Sequence, residues 1–153
     1  MKMGNLWRHE AGLRKLQRSQ HKADIEEDEM IGVEGLERIE DKTSVENIQE
    51  LTKEFVSKVN PLKIVLFGSF ARGSYTEDSD YDFYLVVADD RNVAEATREA
   101  YKASVYIKKR PVDIVVGSNS RFERKRRASY SQMIEREVEE YGILLYEQNT
   151  VSV

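Results

Sequence analysis

The sequence predicts an α/β (α+β) domain in which helices cover a mixed sheet. Short apolar runs rich in β-branched residues, at 63–67, 80–87, 112–116 and 143–146, alternate with segments of helical period. Such alternation builds layered architectures of helix on sheet. The length of 153 residues, with 40% apolar residues, 34% charged residues and a mean hydropathy of -0.63, suits one domain with a modest core.

Residues 1–42 form a charged extension, expected to be in part disordered. Positions 2–22 are basic, with Lys2, Arg8, Arg14, Lys15, Arg18 and Lys22, and positions 24–41 are strongly acidic. Leu6, Leu13, Leu16 and Trp7 could instead mark a docking helix with Trp7 as its anchor. The domain proper is expected over 43–147, followed by a frayed tail over 148–153. Thr43-Ser-Val-Glu46 has the form of a capping box. Val45, Ile48, Leu51, Phe55 and Val59 give the following helix one apolar stripe, and Asn60-Pro61 ends it.

Residues 63–67 form a strand buried on both faces. Phe70-Ala-Arg72 starts a short helix that Gly73 stops, 74–79 is a polar loop, and 80–87 is the next strand. Asp89-Asp90 can cap a helix over 92–108, with Val93, Ala96, Ala100, Ala103 and Ile107 on its apolar side. Pro111 opens the strand 112–116. Ser120-Arg-Phe-Glu123 is a second capping box, opening one helix with Phe122, Tyr130, Met133, Ile134, Val138 and Tyr141 as its buried set. Gly142 is placed to end that helix, before a last strand over 143–146.

The chemistry concentrates between residues 66 and 87. Gly68 lets a ligand approach the backbone closely. Ser69 and the first amides of the short helix can donate to phosphate oxygens. Arg72, one turn on, is either a phosphate partner or an ordinary surface arginine. On a strand Asp80 and Asp82 share one face, with Cα atoms about 7 Å apart. Two carboxylates so placed suit Mg²⁺, typically together with substrate phosphates. Asp113, the only charged residue in its strand, fits as a third ligand, because an acid within an apolar strand is costly unless paired or ligating. Alternatively it is salt-bridged to Lys109 or Arg110. A P-loop is excluded, since Gly68-Ser-Phe-Ala-Arg-Gly73-Ser74 lacks the lysine. Asp78-Ser-Asp80-Tyr-Asp82 is no calcium loop, because Phe83 stands where glycine is required.

Together, Gly68-Ser69, Arg72-Gly73, Ser79-Asp80 and Asp82 resemble the GS-x-x-RG…SD-x-D signature of the DNA polymerase β-like nucleotidyltransferase superfamily, with Asp113 similar to its third acid. The resemblance spans roughly 43–147. Tyr81 departs from the aliphatic residue usual between the aspartates, and the extension before Thr43 is not explained. The short domain is similar to the minimal nucleotidyltransferases, single-domain proteins that commonly serve as antitoxins of HEPN-type RNase toxins. The resemblance implies the polymerase β-like fold and transfer of a nucleoside monophosphate, most simply AMP from ATP. It implies that Gly68 and Ser69 hold the β- and γ-phosphates with Arg72 nearby. It also implies that Asp80, Asp82 and Asp113 bind Mg²⁺, as two ions, and that Asp113 helps deprotonate the acceptor.

The implied partner is a toxin protein acting as acceptor. The alternatives are an antitoxin that works by sequestration alone, and an aminoglycoside-type small-molecule nucleotidyltransferase built as an oligomer. A basic cluster, Arg121, Arg124, Lys125, Arg126 and Arg127, is either a solvated helix face or a surface for an acidic partner or RNA. The net charge of -4 argues against general nucleic-acid binding. The lack of cysteine excludes disulfides and thiolate metal sites and fits a cytoplasmic location. No apolar run is long enough to span a membrane.

Overall fold

The computed structural model describes residues 33–107, 110–128 and 133–148. The expectations for the arm around Trp7, for Tyr130 and for the end of the tail lie outside those residues. Described elements run α1 (Val33–Leu36), α2 (Lys42–Val59), β1 (Lys63–Phe67), α3 (Gly68–Arg72), β2 (Tyr81–Val87), α4 (Val93–Ser104), β3 (Val112–Ser118), α5 (Asn119–Lys125), α6 (Ile134–Tyr141) and β4 (Ile143–Glu147). The strands form one mixed sheet of order β3-β2-β1-β4. Within it β1 pairs antiparallel with both β2 and β4, and β2 pairs parallel with β3. This is the mixed, helix-covered α/β architecture that the sequence predicts.

The alternation of side chains along the strands sends two sets of residues to opposite faces. On one face Ile64, Leu66, Phe83, Leu85 and Ile114 pack against Ile48, Leu51 and Phe55 of α2 and Ala96, Ala100 and Ala103 of α4. The rings of Phe55 and Phe83 meet edge to face, with centroids 5.1 Å apart. Each fully buried side chain of the size of Ile48, Leu51 or Phe55 contributes about 1.5–3 kcal/mol. The other face is smaller: Val65, Phe67, Tyr84, Val86 and Leu144 meet Phe122 of α5 and Val138 of α6. The main core reaches upstream of Thr43, since Leu36 and Ile39 are buried in it.

Several local expectations need correction. Asp41, not Thr43, caps α2: its Oδ1 accepts from the Thr43 amide at 3.1 Å, and its Oδ2 accepts from the Ser44 hydroxyl at 2.9 Å. Ser118 rather than Ser120 caps α5, and Asn92 rather than the Asp89-Asp90 pair caps α4. Asp89 instead accepts from the Ser120 amide at 2.8 Å. The single helix expected from Ser120 to Tyr141 is two helices. The four consecutive cations Arg124 to Arg127 offer no apolar stripe to bury, and α5 ends at Lys125. Phe122 and Val138 are buried as expected, but Ile134 and Tyr141 are exposed. Gly142 is not left-handed. It is extended, and a Cβ there would overlap Val65 and the Val138 carbonyl, so close packing of α6 on β1 favours glycine.

Tyr101 of α4 closes part of the edge of the sheet. Its hydroxyl accepts from the Ile114 amide at 3.0 Å and donates to the Ile114 carbonyl at 3.4 Å.

Tyr81, the residue unusual for its position, is explained by α2. Its buried hydroxyl accepts from Asn47 Nδ2 at 3.1 Å and donates to Ser44 Oγ at 3.0 Å, and Ser44 in turn donates to the cap Asp41. The start of β2 is thereby tied to the start of α2. Replacing Tyr81 by Phe leaves Asn47 and Ser44 short of a partner in a buried setting. The expected cost is about 1–2 kcal/mol, measured as a lower urea midpoint with an unchanged slope.

Candidate active site

The site grows from the junction of β1, α3 and β2. Phe67, the last residue of β1, is paired with Asp82, so the residue that follows it, Gly68, stands beside the Asp82 side chain. Gly68 has φ +79, and a Cβ on it would overlap the Asp82 carboxylate. Both the backbone conformation and the contact demand glycine. Gly68 opens α3, whose N-cap residue Phe67 supplies no side-chain acceptor to the amides of that turn. Ser69 is half-buried in the same turn. Gly73, left-handed, ends α3 as expected.

Parallel pairing sets Asp82 directly against Asp113. The two carboxylates therefore leave the sheet side by side, on the face covered by α5 and α6. Asp80 immediately precedes β2 and is half-buried, as is Asp82. Asp113 is exposed, because β3 is an edge strand. The burial argument for Asp113 thus does not hold, and its register against Asp82 takes its place. The alternative of an Arg110 ion pair with Asp113 also fails, since Arg110 bonds elsewhere. Lys109 lies outside the described residues.

Crowding of like charge is felt at Asp82. Its carboxyl is pushed up to about 6, first by burial, then by Asp113, Asp80 and Glu137, with Arg72 opposing. Glu137 of α6 had no signal in the sequence. It reaches the site because α6 folds back over the sheet, and it forms an ion pair with Arg72. Arg72 is therefore brought near Asp82, but engaged by a carboxylate. Beside Asp82 on the same face, Tyr84 donates to Glu135 Oε2 at 2.6 Å, and Arg121 Nε donates to the same atom at 3.1 Å. Burial opposes ionisation of Glu135, but these bonds hold its carboxyl below the ordinary value.

The basic cluster is largely occupied. Arg121 pairs with Glu135, Arg126 with Glu123 and Glu139, and Arg127 with Glu123. That favours a self-neutralised helix face over an open surface for nucleic acid.

Among the described residues, no three His, Asp or Glu side chains are gathered into a group that could hold a metal ion. The donor set nevertheless fits a hard divalent cation. Asp80, Asp82 and Asp113 offer only oxygen, and the neighbouring acids add to burial in raising the Asp82 carboxyl, a negative charge such an ion would offset.

Two outcomes follow from this geometry. Gly68→Ala forces a left-handed alanine against Asp82. It is expected to lower stability by about 1–2 kcal/mol or more and to abolish nucleotide binding, read by calorimetry with ATP. Asp82 titrates higher in the folded chain than the ordinary carboxylate near 3.9. Its contribution is therefore full below about pH 4 and lost as the pH rises through about 6. Asp82→Asn should accordingly raise the melting temperature at pH 7 in metal-free buffer, with the gain fading toward pH 4. A gain that instead grows on acidification would contradict the electrostatic account.

Comparison with known proteins bears on the same residues. A family model described as a nucleotidyltransferase domain matches residues 48–145. A protein of Methanocaldococcus jannaschii named "Putative protein adenylyltransferase" is 34% identical over 110 residues, covering 70% of this chain and 98% of its own length. A nucleotidyltransferase structure from Sulfolobus solfataricus, itself labelled putative, aligns with 21% identity and a TM-score of 0.49, over 80% of this chain and 92% of that one. A toxin-antitoxin structure with AMP-PNP aligns with 22% identity and a TM-score of 0.41, over 69% and 74%. The family match runs from α2 through β4 and takes in Gly68, Ser69, Asp80, Asp82 and Asp113: this chain belongs to the nucleotidyltransferase domain family and is a nucleotidyltransferase.

Proposed function

We propose that the chain transfers AMP from ATP, with Mg²⁺, to a hydroxyl of another protein, and that the acceptor is a HEPN-type RNase toxin neutralised by the transfer. The observation that carries this reading is the placement of the Gly68 turn against Asp82, with Asp113 beside Asp82 in the parallel register. After Asp113 the described residues supply the rest of β3, two short helices and β4. Those elements cover the sheet and add no further domain among the described residues. The Methanocaldococcus relative, which bears the name of a protein adenylyltransferase, is matched over nearly its whole length, so a domain of this size is consistent with a protein acceptor.

In this reading the amides at Gly68 and Ser69 hold the β- and γ-phosphates, and Arg72 exchanges Glu137 for a phosphate oxygen. Asp80, Asp82 and Asp113 would hold Mg²⁺, as two ions, which would supply charge neutralisation for the triphosphate. The acceptor hydroxyl oxygen forms a bond to the α-phosphorus, and the bond from that phosphorus to the bridging oxygen breaks. Pyrophosphate carries away the electron pair, and the hydroxyl proton passes to Asp113, the exposed carboxylate. Most of the acceleration comes from positioning and fixed charge.

The test is labelled ATP and Mg²⁺ with the purified product of the adjacent gene. Label should appear on that protein and fall by about 10²-fold or more in the Asp80→Asn, Asp82→Asn double variant. Absence of label under conditions where the two proteins bind would sink the reading. Full neutralisation by the double variant would establish sequestration instead, and labelling of an aminoglycoside without any protein acceptor would establish a small-molecule enzyme.

A further inference from the structure

Arg110 lies two residues before β3 and belongs to none of the groups that would touch substrate or metal. Its side chain is only 17% exposed. Its Nη1 donates to three main-chain carbonyls of a single turn: Thr76 at 2.9 Å, Glu77 at 3.0 Å and Ser79 at 3.1 Å. Its Nη2 lies 3.6 Å from Asp41 Oδ2 at the head of α2. The guanidinium carbon stands 5.0 Å from the ring centre of Phe70 and 5.9 Å from that of Tyr81. Phe70 in turn stacks on Tyr75, with centroids 4.3 Å apart and rings 11° from parallel. The Tyr75 hydroxyl accepts from the amides of Glu40 and Asp41.

The turn has some order of its own. The Thr76 amide donates to Ser79 Oγ at 2.8 Å, and the Ser79 amide donates to the Thr76 carbonyl at 3.2 Å. Those bonds set its shape but do not fix it to the rest of the molecule. Arg110 does, from a chain position adjacent to the strand that bears Asp113. The Tyr81 amide, just beyond Asp80, donates to the Pro111 carbonyl at 3.0 Å. Asp80 is thus bracketed by two attachments to the same short stretch, Arg110 before it and Pro111 after it.

We propose that Arg110 is a positioning residue that holds the 76–79 turn and so presents Asp80 alongside Asp82 and Asp113. The inference rests on the assignment of Asp80 to the metal site. A guanidinium is required, because one nitrogen meets the three carbonyls while a second faces Asp41 and the flat group lies over the Phe70 ring. A lysine ammonium keeps the charge, but its single nitrogen cannot serve the carbonyls and Asp41 from two positions and has no flat face for Phe70.

The test uses the full chain with Arg110→Lys and Arg110→Gln. In metal-free protein, amide hydrogen exchange over 74–80 should accelerate about 10-fold or more in both variants, while exchange in α2 and β1 stays at the wild-type rate. The dissociation constant for Mn²⁺, read by electron paramagnetic resonance, should rise by about 10-fold or more, as expected for a group that orients a ligand from behind. Wild-type exchange over 74–80 in the variants overturns the inference. So does a loosened turn with Mn²⁺ affinity unchanged, which would make Arg110 a merely structural clamp. Wild-type protein that binds no Mn²⁺ is a different result: it overturns the metal reading of Asp80 and this inference with it, whereas intact wild-type binding beside unaffected variants overturns this inference alone.

Discussion

The contact between Gly68 and the Asp82 carboxylate is the constraint on which the rest of the site depends. The pairing of Phe67 with Asp82 brings the end of β1 against the start of β2, and only a residue without a Cβ can then turn away into α3. The same pairing fixes where the amides of α3 open, and the β2–β3 register fixes where Asp113 stands. One sheet register therefore sets the phosphate-binding turn and two of the three carboxylates together. A slip of one residue would send the acids to the opposite, apolar face.

The two faces of the sheet divide the work. The face under α2 and α4 is almost wholly apolar and carries most of the burial. The face under α5 and α6 is smaller and contains Asp82, Tyr84 and the buried Glu135. Burial of Asp82 together with its neighbouring acids opposes folding at neutral pH, and the opposite face offsets this. Such local instability is common where chemistry is done. Strand β2 belongs to both faces and has Tyr81 anchored to α2, so Asp82 sits on a strand tied to both sides of the sheet.

Much of this was legible in the sequence. The four strands followed from apolar runs between turn residues, and α2 and α4 from their periods. That Asp82 and Asp113 lie on strands was legible too, though their mutual register was not. What could not be read was whatever depends on a choice among equivalent donors or on distant packing. Asp41, Thr43 and Ser44 are all competent caps within four residues, and only the placed helix shows that Asp41 is used. Glu137 lies far along the chain from its partner Arg72 and meets it through the fold of α6. Arg110 binds carbonyl oxygens, which every residue possesses, so its acceptors leave no mark in the amino-acid pattern. The break between α5 and α6 was hidden because a cationic run has good helix propensity while lacking anything to bury.

The hydroxyl of Tyr101, set against both polar groups of Ile114 on the outer side of β3, bears on how another macromolecule could approach. An edge strand ordinarily invites a neighbour to extend the sheet by main-chain pairing. Here the row of donors and acceptors is interrupted one residue from Asp113, so a visiting chain cannot lay a continuous ladder along that margin. Any contact made along that margin falls mainly to side chains, whose pattern differs between proteins in a way that the main chain does not.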